Sequence, residues 1–250
     1  MEVLLGFVVA VVIALTGVGA GVMISPMLIL FLGVPVETAV STALAYSAIV
    51  KLIVVPVQVI RGQVNYRILA CMLAGGLPGV ILGSVLFKHA ALHGQRPALY
   101  AFLGFAIIFT SGWNLWRHFR PAKMGRPQKE RAGWLAAVML PIGAEVGFSS
   151  SGAGALGTLA LLGLTSLPAA QVVGTDLAFG LGIALTGSAV HLTGSTCDVA
   201  LLTRLALGGV LGAVLGSVAA PKIPNRQLRF ALCLWLIFIG MRFCLQATGR

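Results

Sequence analysis

Three ionisable residues, Lys51, Glu145 and Asp176, fall inside long apolar runs. A charge in such a run is expensive and by default marks a functional site with a partner. Lys51 could hold an anion, neutralise an acid, or snorkel toward a surface near Arg61. Asp176 and Glu145 are candidates for proton coupling, because burial favours the protonated carboxyl; paired with Lys51, Asp176 would instead be structural. Glu145 precedes Ser149 by four residues, one helical turn. The third chemical feature is a pair of glycine-rich interruptions, Thr16-Gly17-Val18-Gly19-Ala20-Gly21 and Ser149-Ser150-Ser151-Gly152-Ala153-Gly154. Removing an ion from water costs on the order of tens of kcal/mol in low dielectric, so something must replace its hydration. A helix interrupted there exposes N–H groups and about half a positive charge at its new start, an anion site that needs no basic side chain.

The candidate substrate-binding residues are therefore Thr16, Gly19, Ala20, Gly21, Thr42, Lys51, Ser149, Ser150, Ser151, Gly152, Ala153, Gly154 and Thr175. The bland alternative for the hydroxyls is a bond back to their own helix. A Ser151–His191 pair would offer nucleophile and base for an intramembrane hydrolase. Cys71, Cys197, Cys233 and Cys244 include no C-x-x-C spacing, so no metal or cofactor is expected.

The elements that must position these residues follow from composition. Of 250 residues, 58% are apolar and 9% charged, whereas soluble domains carry about 25% charged residues. The chain reads as an all-α integral membrane protein. Its apolar runs give segments near 2–33, 37–60, 67–87, 97–117, 133–164, 168–193, 200–220 and 228–247, about eight spans of about 20 residues or more. The first and fifth are too long. A continuous helix of about 32 residues would reach about 48 Å, against a hydrocarbon core of about 30 Å. The two glycine-rich interruptions lie in these two segments, which predicts a broken or re-entrant first helix in each half.

The net charge of +11 comes from basic residues set between apolar runs, which points to membrane orientation and not to nucleic acid. Arg117, Arg120, Lys123, Arg126, Lys129 and Arg131 face only Glu130 in one segment, so positive-inside bias places that segment in the cytoplasm. If every span crosses once, both termini lie there too, but Lys88, Arg96, Lys222 and Arg226 would then lie outside. The start of the chain lacks the basic region and cleavage site of a secretory signal.

Shifting the chain by 133 residues superimposes 16–92 on 149–225 without a gap, with 19 of 77 pairs identical. Gly19-Ala20-Gly21 meets Gly152-Ala153-Gly154, Pro35 meets Pro168, and Thr42 meets Thr175. Gly75, Gly79 and Gly83 meet Gly208, Gly212 and Gly216, a small-residue stripe suited to close helix packing. The predicted organisation is a repeat over 1–117, a basic loop over 118–132 and a second repeat over 133–250. Corresponding broken helices in two halves are a secondary-transporter pattern. Sequence leaves open whether the halves run parallel or inverted.

The paired glycine elements, the Pro and Thr that follow each, the duplication and the basic central loop together resemble the TauE/SafE sulfite exporter family over essentially the whole chain. The resemblance implies a permease of the bacterial inner membrane for sulfite, organosulfonates or related sulfur-containing or organic anions; the buried acids make protons a candidate coupling ion, no enzyme activity is expected, and membrane lipids are its surroundings. Alternating access between two half-sites is the expected mechanism; the alternatives are a passive anion channel and the serine hydrolase. The first repeat has Thr16-Gly17-Val18 where the second has three serines, so the half-sites are expected to differ chemically. The particular anion, the direction of transport and the oligomeric state are not encoded in any motif.

Overall fold

The computed structural model describes residues 2–16, 20–93, 96–119, 132–151, 153–193, 198–219 and 225–247. These form ten helices: α1 (Glu2–Thr16), α2 (Ala20–Leu32), α3 (Val36–Ile60), α4 (Tyr66–Leu92), α5 (Arg96–Phe119), α6 (Ala132–Ser149), α7 (Ala153–Leu164), α8 (Ala169–Leu192), α9 (Val199–Ala219) and α10 (Asn225–Ala247). The eight apolar segments read from sequence coincide with α1 plus α2, α3, α4, α5, α6 plus α7, α8, α9 and α10. Both overlong segments are indeed divided. By length and composition, four helices of the described residues are apolar enough to cross a membrane, in α3, α4, α8 and α9, with further shorter apolar helices. Large apolar side chains cover the outside as well: Leu82, Leu86, Leu207, Leu211 and Leu215 are all exposed. Such a surface suits lipid, and the chain is a multi-pass membrane protein.

Local signals explain where the long helices begin. Pro35 and Pro168 directly precede α3 and α8, with φ of -54° and -58°, so their fixed φ leads the chain into the first turn. Asn65 accepts from Ile68 N at 3.2 Å, and Asp198 accepts from Leu201 N at 3.0 Å. These two residues, matched by the 133-residue shift, are N-caps that satisfy otherwise orphaned amides.

Helix directions follow from close contacts at glycines. A Cβ on Gly208, Gly212 or Gly216 would strike Val3, Phe7 or Val11 and Ala14 in turn, so α1 and α9 run parallel. In the same way Gly75, Gly79 and Gly83 meet Ala136, Leu140 and Ala144, so α4 and α6 run parallel. The glycine stripe is therefore a packing surface: its backbones approach too closely for any side chain. Between α3 and α8, Ser41 meets His191, Leu44 meets Gly187, and Lys51 meets Gly180, an antiparallel crossing. The α5–α10 pair is also antiparallel, with Gly104 against Gly240 and Cys244, and Gly240 against Ile108. Tyr46 and Phe179, at equivalent positions, are fully buried against Gly209 and Gly76.

The directions have a topological consequence. Helix α4 runs parallel to α8, with Leu73, Gly76 and Val80 against Gly182, Phe179 and Gly187. Helix α3 is therefore antiparallel to α4, as their short link requires, and α9 is likewise antiparallel to α8. It follows that α1, α3 and α9 all point one way. Only α2 and two short links lie between α1 and α3, so α2 must run back. The α1–α2 pair is a hairpin, and by the same reasoning so is α6–α7.

The expectation that both termini share a side with the basic segment rested on every span crossing once. The hairpins remove that premise. Phe148 packs against both Phe87, near the end of α4, and Phe102, near the start of α5, so α5 runs back antiparallel to α4. Phe119 and Ala132, flanking residues 120–131, consequently lie at the end of the bundle opposite Glu2. At the Glu2 end, Arg204 pairs with Glu2 at 3.1 Å, and Lys88 donates to Thr193 Oγ1 at 2.7 Å.

Candidate functional site

The tip of the second hairpin is built by an abrupt end to α6. Ser150 N donates to Val146 O at 2.7 Å, closing the last helical turn. Ser150 then takes a φ of 59°, the left-handed conformation in which helices commonly end and which glycine adopts more readily. The equivalent position in the first repeat is Gly17. A serine is held there by its surroundings: Ser150 Oγ lies 2.6 Å from Ser25 Oγ of α2, within a buried hydrogen bond. The tip also rests on Gly21, where a Cβ would fall 1.6 Å from Ser150 O. Hairpin two thus seats its tip directly against the first two turns of the returning arm of hairpin one.

Behind the tip, three polar side chains form a compact cluster. Ser149 Oγ donates to Glu145 Oε1 at 2.8 Å, and Ser151 Oγ donates to the same oxygen at 2.7 Å. The two hydroxyls lie 2.6 Å apart, and Ser151 N donates to Ser149 Oγ at 3.1 Å. Ser149 Oγ is also 3.0 Å from Glu145 O, so the helix back-bond foreseen as the bland alternative competes with the carboxylate for the single hydroxyl proton. Glu145 Oε2 is buried without a hydrogen-bond partner. All three serines are buried.

His191 supports this broken end from α8. Its Nε2–H donates to Gly147 O at 3.0 Å, and Ser84 Oγ donates to the same carbonyl at 3.3 Å. The carbonyl lies in the last turn of α6, where helical acceptors lose their intrahelical partners. His191 Nδ1 faces Ser41 Oγ at 3.3 Å. With both nitrogens so engaged, His191 does not form the base of a Ser151 dyad, and the geometry of a serine hydrolase is not assembled.

A second polar cluster lies where α3 crosses α8. Lys51 is buried, with its Nζ 2.5 Å from where a Cβ on Gly180 would stand. It interacts electrostatically with Asp176, one turn earlier on α8. Asp176 Oδ2 accepts from Thr158 Oγ1 on α7 at 2.8 Å, while Oδ1 is buried without a hydrogen-bond partner and lies against Gly157. Lys51 is thus buried inside the bundle, where it acts on Asp176 electrostatically, and is not snorkelling. The cluster links both crossing helices to the returning arm of hairpin two.

The other residues singled out from sequence fall in three groups. Gly19 and Gly152 lie outside the described residues, and for Thr16, Ala20 and Ala153 only the backbone is described. Gly154 is half-buried in the first turn of α7. Thr42 and Thr175 are fully buried, but Thr175 Oγ1 accepts from Asn65 N at 3.0 Å, a structural bond at the start of α4. Sequence reasoning passed over Ser25 and Thr158. They are equivalent under the 133-residue shift, and hydroxyls kept at matching positions one turn past each interruption were the available signal.

The fold and this site define a multi-pass helical membrane protein with one buried polar cluster behind a hairpin tip and another where α3 crosses α8. Among the described residues, no group of three or more His, Cys, Asp or Glu could hold a metal ion. The chain belongs to the sulfite exporter TauE/SafE family, whose profile matches residues 3–243. It is therefore a membrane transporter and not an enzyme. It is also 26% identical over 248 residues to the "Probable membrane transporter protein YjnA" of Bacillus subtilis (strain 168), covering 96% of this chain and 97% of the relative. No solved structure matches the chain.

Proposed function

We propose that the protein is a secondary carrier of small oxyanions, with sulfite and organosulfonates as the leading substrates, moved by alternating access between half-sites at the two hairpin tips. The observation that carries this reading is the seating of Ser150 on Gly21 and Ser25, which brings the interrupted backbone of one hairpin against that of the other. Helix starts at Ala20 and Ala153 supply amide donors, and Ser149 and Ser151 supply hydroxyls, so an anion is solvated by neutral dipoles. The Lys51–Asp176–Thr158 cluster holds the returning arm of hairpin two and is a second point at which protonation can bias the arrangement.

The two halves, 1–117 and 133–250, are read as inverted repeats of one re-entrant hairpin and three crossing helices. Equivalent helices α3 and α8, and likewise α5 and α10, cross antiparallel, which favours a two-fold axis in the membrane plane. The six helices outside the hairpins have at least 21 residues each, enough for a core of about 30 Å. Charge supports the orientation. Among the described residues, Arg61, Arg67, Arg117, Arg226 and Arg229 lie toward one end and Lys88, Arg96, Arg204 and Arg242 toward the other, and the sequence that joins α5 to α6 at the first end adds Arg120, Lys123, Arg126, Lys129 and Arg131. The richer end is assigned to the cytoplasm of a bacterial inner membrane, and both termini to the opposite side. Arg226, awkward under eight crossings, then falls on the cytoplasmic side.

The test is reconstitution into liposomes. Saturable uptake of sulfite or methanesulfonate that is accelerated by the same anion inside the vesicle supports a carrier. Flux that does not saturate and shows no counterflow would indicate a channel, and absence of flux for both anions would refute the reading.

A further inference from the structure

Both hydroxyls best placed to receive an anion at the second hairpin tip are already committed to a carboxylate. Ser149 and Ser151 converge on one oxygen, Glu145 Oε1, at 2.8 and 2.7 Å. Each hydroxyl has a single proton, so neither can be given to a second acceptor while it serves Glu145. The other carboxylate oxygen, Oε2, is buried at the same place with no hydrogen-bond partner, so the cluster satisfies only half of the acid. We propose that Glu145 is a tethered surrogate for the transported oxyanion: its carboxylate occupies the serine seat, and substrate takes that seat only when Glu145 accepts a proton and releases the hydroxyls. This rests on the carrier reading above and specifies its coupling.

The chemistry of the exchange balances simply. Glu145 takes one proton from the aqueous side that reaches the tip and becomes a neutral carboxylic acid. Ser149 and Ser151 then donate to one oxygen of the incoming oxyanion. When the anion leaves on the other side, Glu145 loses the proton there and returns to the hydroxyls. One proton accompanies each anion. Charge-assisted bonds are roughly twice as strong as neutral ones, so ionised Glu145 competes with substrate whereas the protonated acid does so weakly. The same geometry constrains the ligand: it must present an oxygen that accepts two hydroxyl donors at once, as a sulfonate, sulfite or carboxylate group does.

The surroundings leave Glu145 as the titrating group of the tip. Helix α7 and the opposing α2 contain no titratable side chain. Helix α8 contributes His191, bonded to Gly147 O, and Asp176, bonded to Thr158. At the level of the tip, α4 contributes Lys88, bonded to Thr193, and His89, stacked on His93; Tyr66, Arg67 and Cys71 lie in its first two turns. Helix α5 contributes Tyr100, against Phe243, with Arg96, Arg117 and His118 in its end turns. The first repeat has no counterpart to this device, because Val12, Thr16 and Val18 stand where the second has Glu145, Ser149 and Ser151.

The test uses methanesulfonate, whose charge does not change across the range, with wild type and Glu145→Gln in liposomes between pH 6 and pH 8. For wild type the half-saturating concentration is expected to rise with pH, approaching about tenfold per unit on the alkaline side. In Glu145→Gln it should change by less than about twofold across that range. A trapped pH indicator should record one proton entering per anion in wild type and none in the variant. Should Glu145→Gln fail to insert, Glu145→Asp takes its place and should shift the pH at which the half-saturating concentration begins to rise, and an unshifted profile would overturn the role. Identical pH profiles for the two proteins, or anion entry in wild type without a proton, would overturn the surrogate role while leaving the carrier intact. Failure of wild type to move sulfite or methanesulfonate at any pH would overturn both.

Discussion

Replacing Gly21 with alanine or valine is the most demanding perturbation the structure offers. A Cβ there would stand 1.6 Å from Ser150 O, 2.4 Å from Ser150 C and 2.7 Å from Ser150 Oγ. The first two atoms are backbone, so no rotamer change relieves the clash. A carbon normally stays about 3.3 Å from a carbonyl oxygen, which obliges the second hairpin to withdraw by about 1.7 Å. The Ser25–Ser150 hydrogen bond, now 2.6 Å, would open to about 4 Å and be lost. Overpacking of this kind costs about 1–3 kcal/mol, and an unsatisfied buried hydroxyl a further 1–3 kcal/mol or so. Alanine is favoured over glycine in helices by about 1 kcal/mol, which offsets only part of this. Gly163→Ala is the control, because its added Cβ meets nothing within 4 Å. In proteoliposomes, Gly21→Val should lower methanesulfonate uptake at least about tenfold, with Gly21→Ala intermediate. Size-exclusion profiles should still show inserted, monodisperse protein. Wild-type uptake by Gly21→Val would refute the view that apposition of the tips creates the site.

Other perturbations address separate parts of the structure. Ser150→Gly relieves a left-handed serine, worth about 1 kcal/mol, but loses the Ser25 bond, so thermal stability should stay within a few degrees while uptake falls; a large drop in stability would contradict this balance. Lys51→Met removes the positive charge that acts on buried Asp176 and should destabilise by less than the ~3–5 kcal/mol of a broken direct ion pair, whereas Lys51→Met with Asp176→Asn should recover much of that loss in detergent melts. Additive losses in the double variant would mean that the two groups act independently. In a background lacking native cysteines, Lys123→Cys should react with a membrane-impermeant thiol reagent only in inverted vesicles, and Gly249→Cys only in intact spheroplasts; labelling of both from one side would refute the hairpin topology.

Much of the scaffold is legible in the sequence alone. Apolar length located the helices, and the excess length of two segments forced a break at each glycine-rich element. The direction taken after each break was not legible, because hydropathy measures how much chain is apolar and not whether it continues or returns. The register of glycines 208, 212 and 216 along α1, and of 75, 79 and 83 along α6, reveals the return once the α3–α8 and α4–α8 crossings are added. The site was legible in kind but not in connection. Glu145 stands one turn from Ser149 in any helix, yet its hold on Ser151 depends on the left-handed turn at Ser150. Thr175 stands out in the sequence because Thr42 matches it under the shift, and only the structure reveals that its Oγ1 accepts from Asn65 N at the start of α4.

The position of the bound anion tests the carrier and the role of Glu145 together. A structure determined with methanesulfonate at saturating concentration and acidic pH should place the sulfonate oxygens within hydrogen-bond distance of Ser149 and Ser151, between the hairpin tips, with the Glu145 carboxyl turned away. A sulfonate bound elsewhere in the bundle, with the Glu145 carboxylate still bonded to both serines, would contradict it.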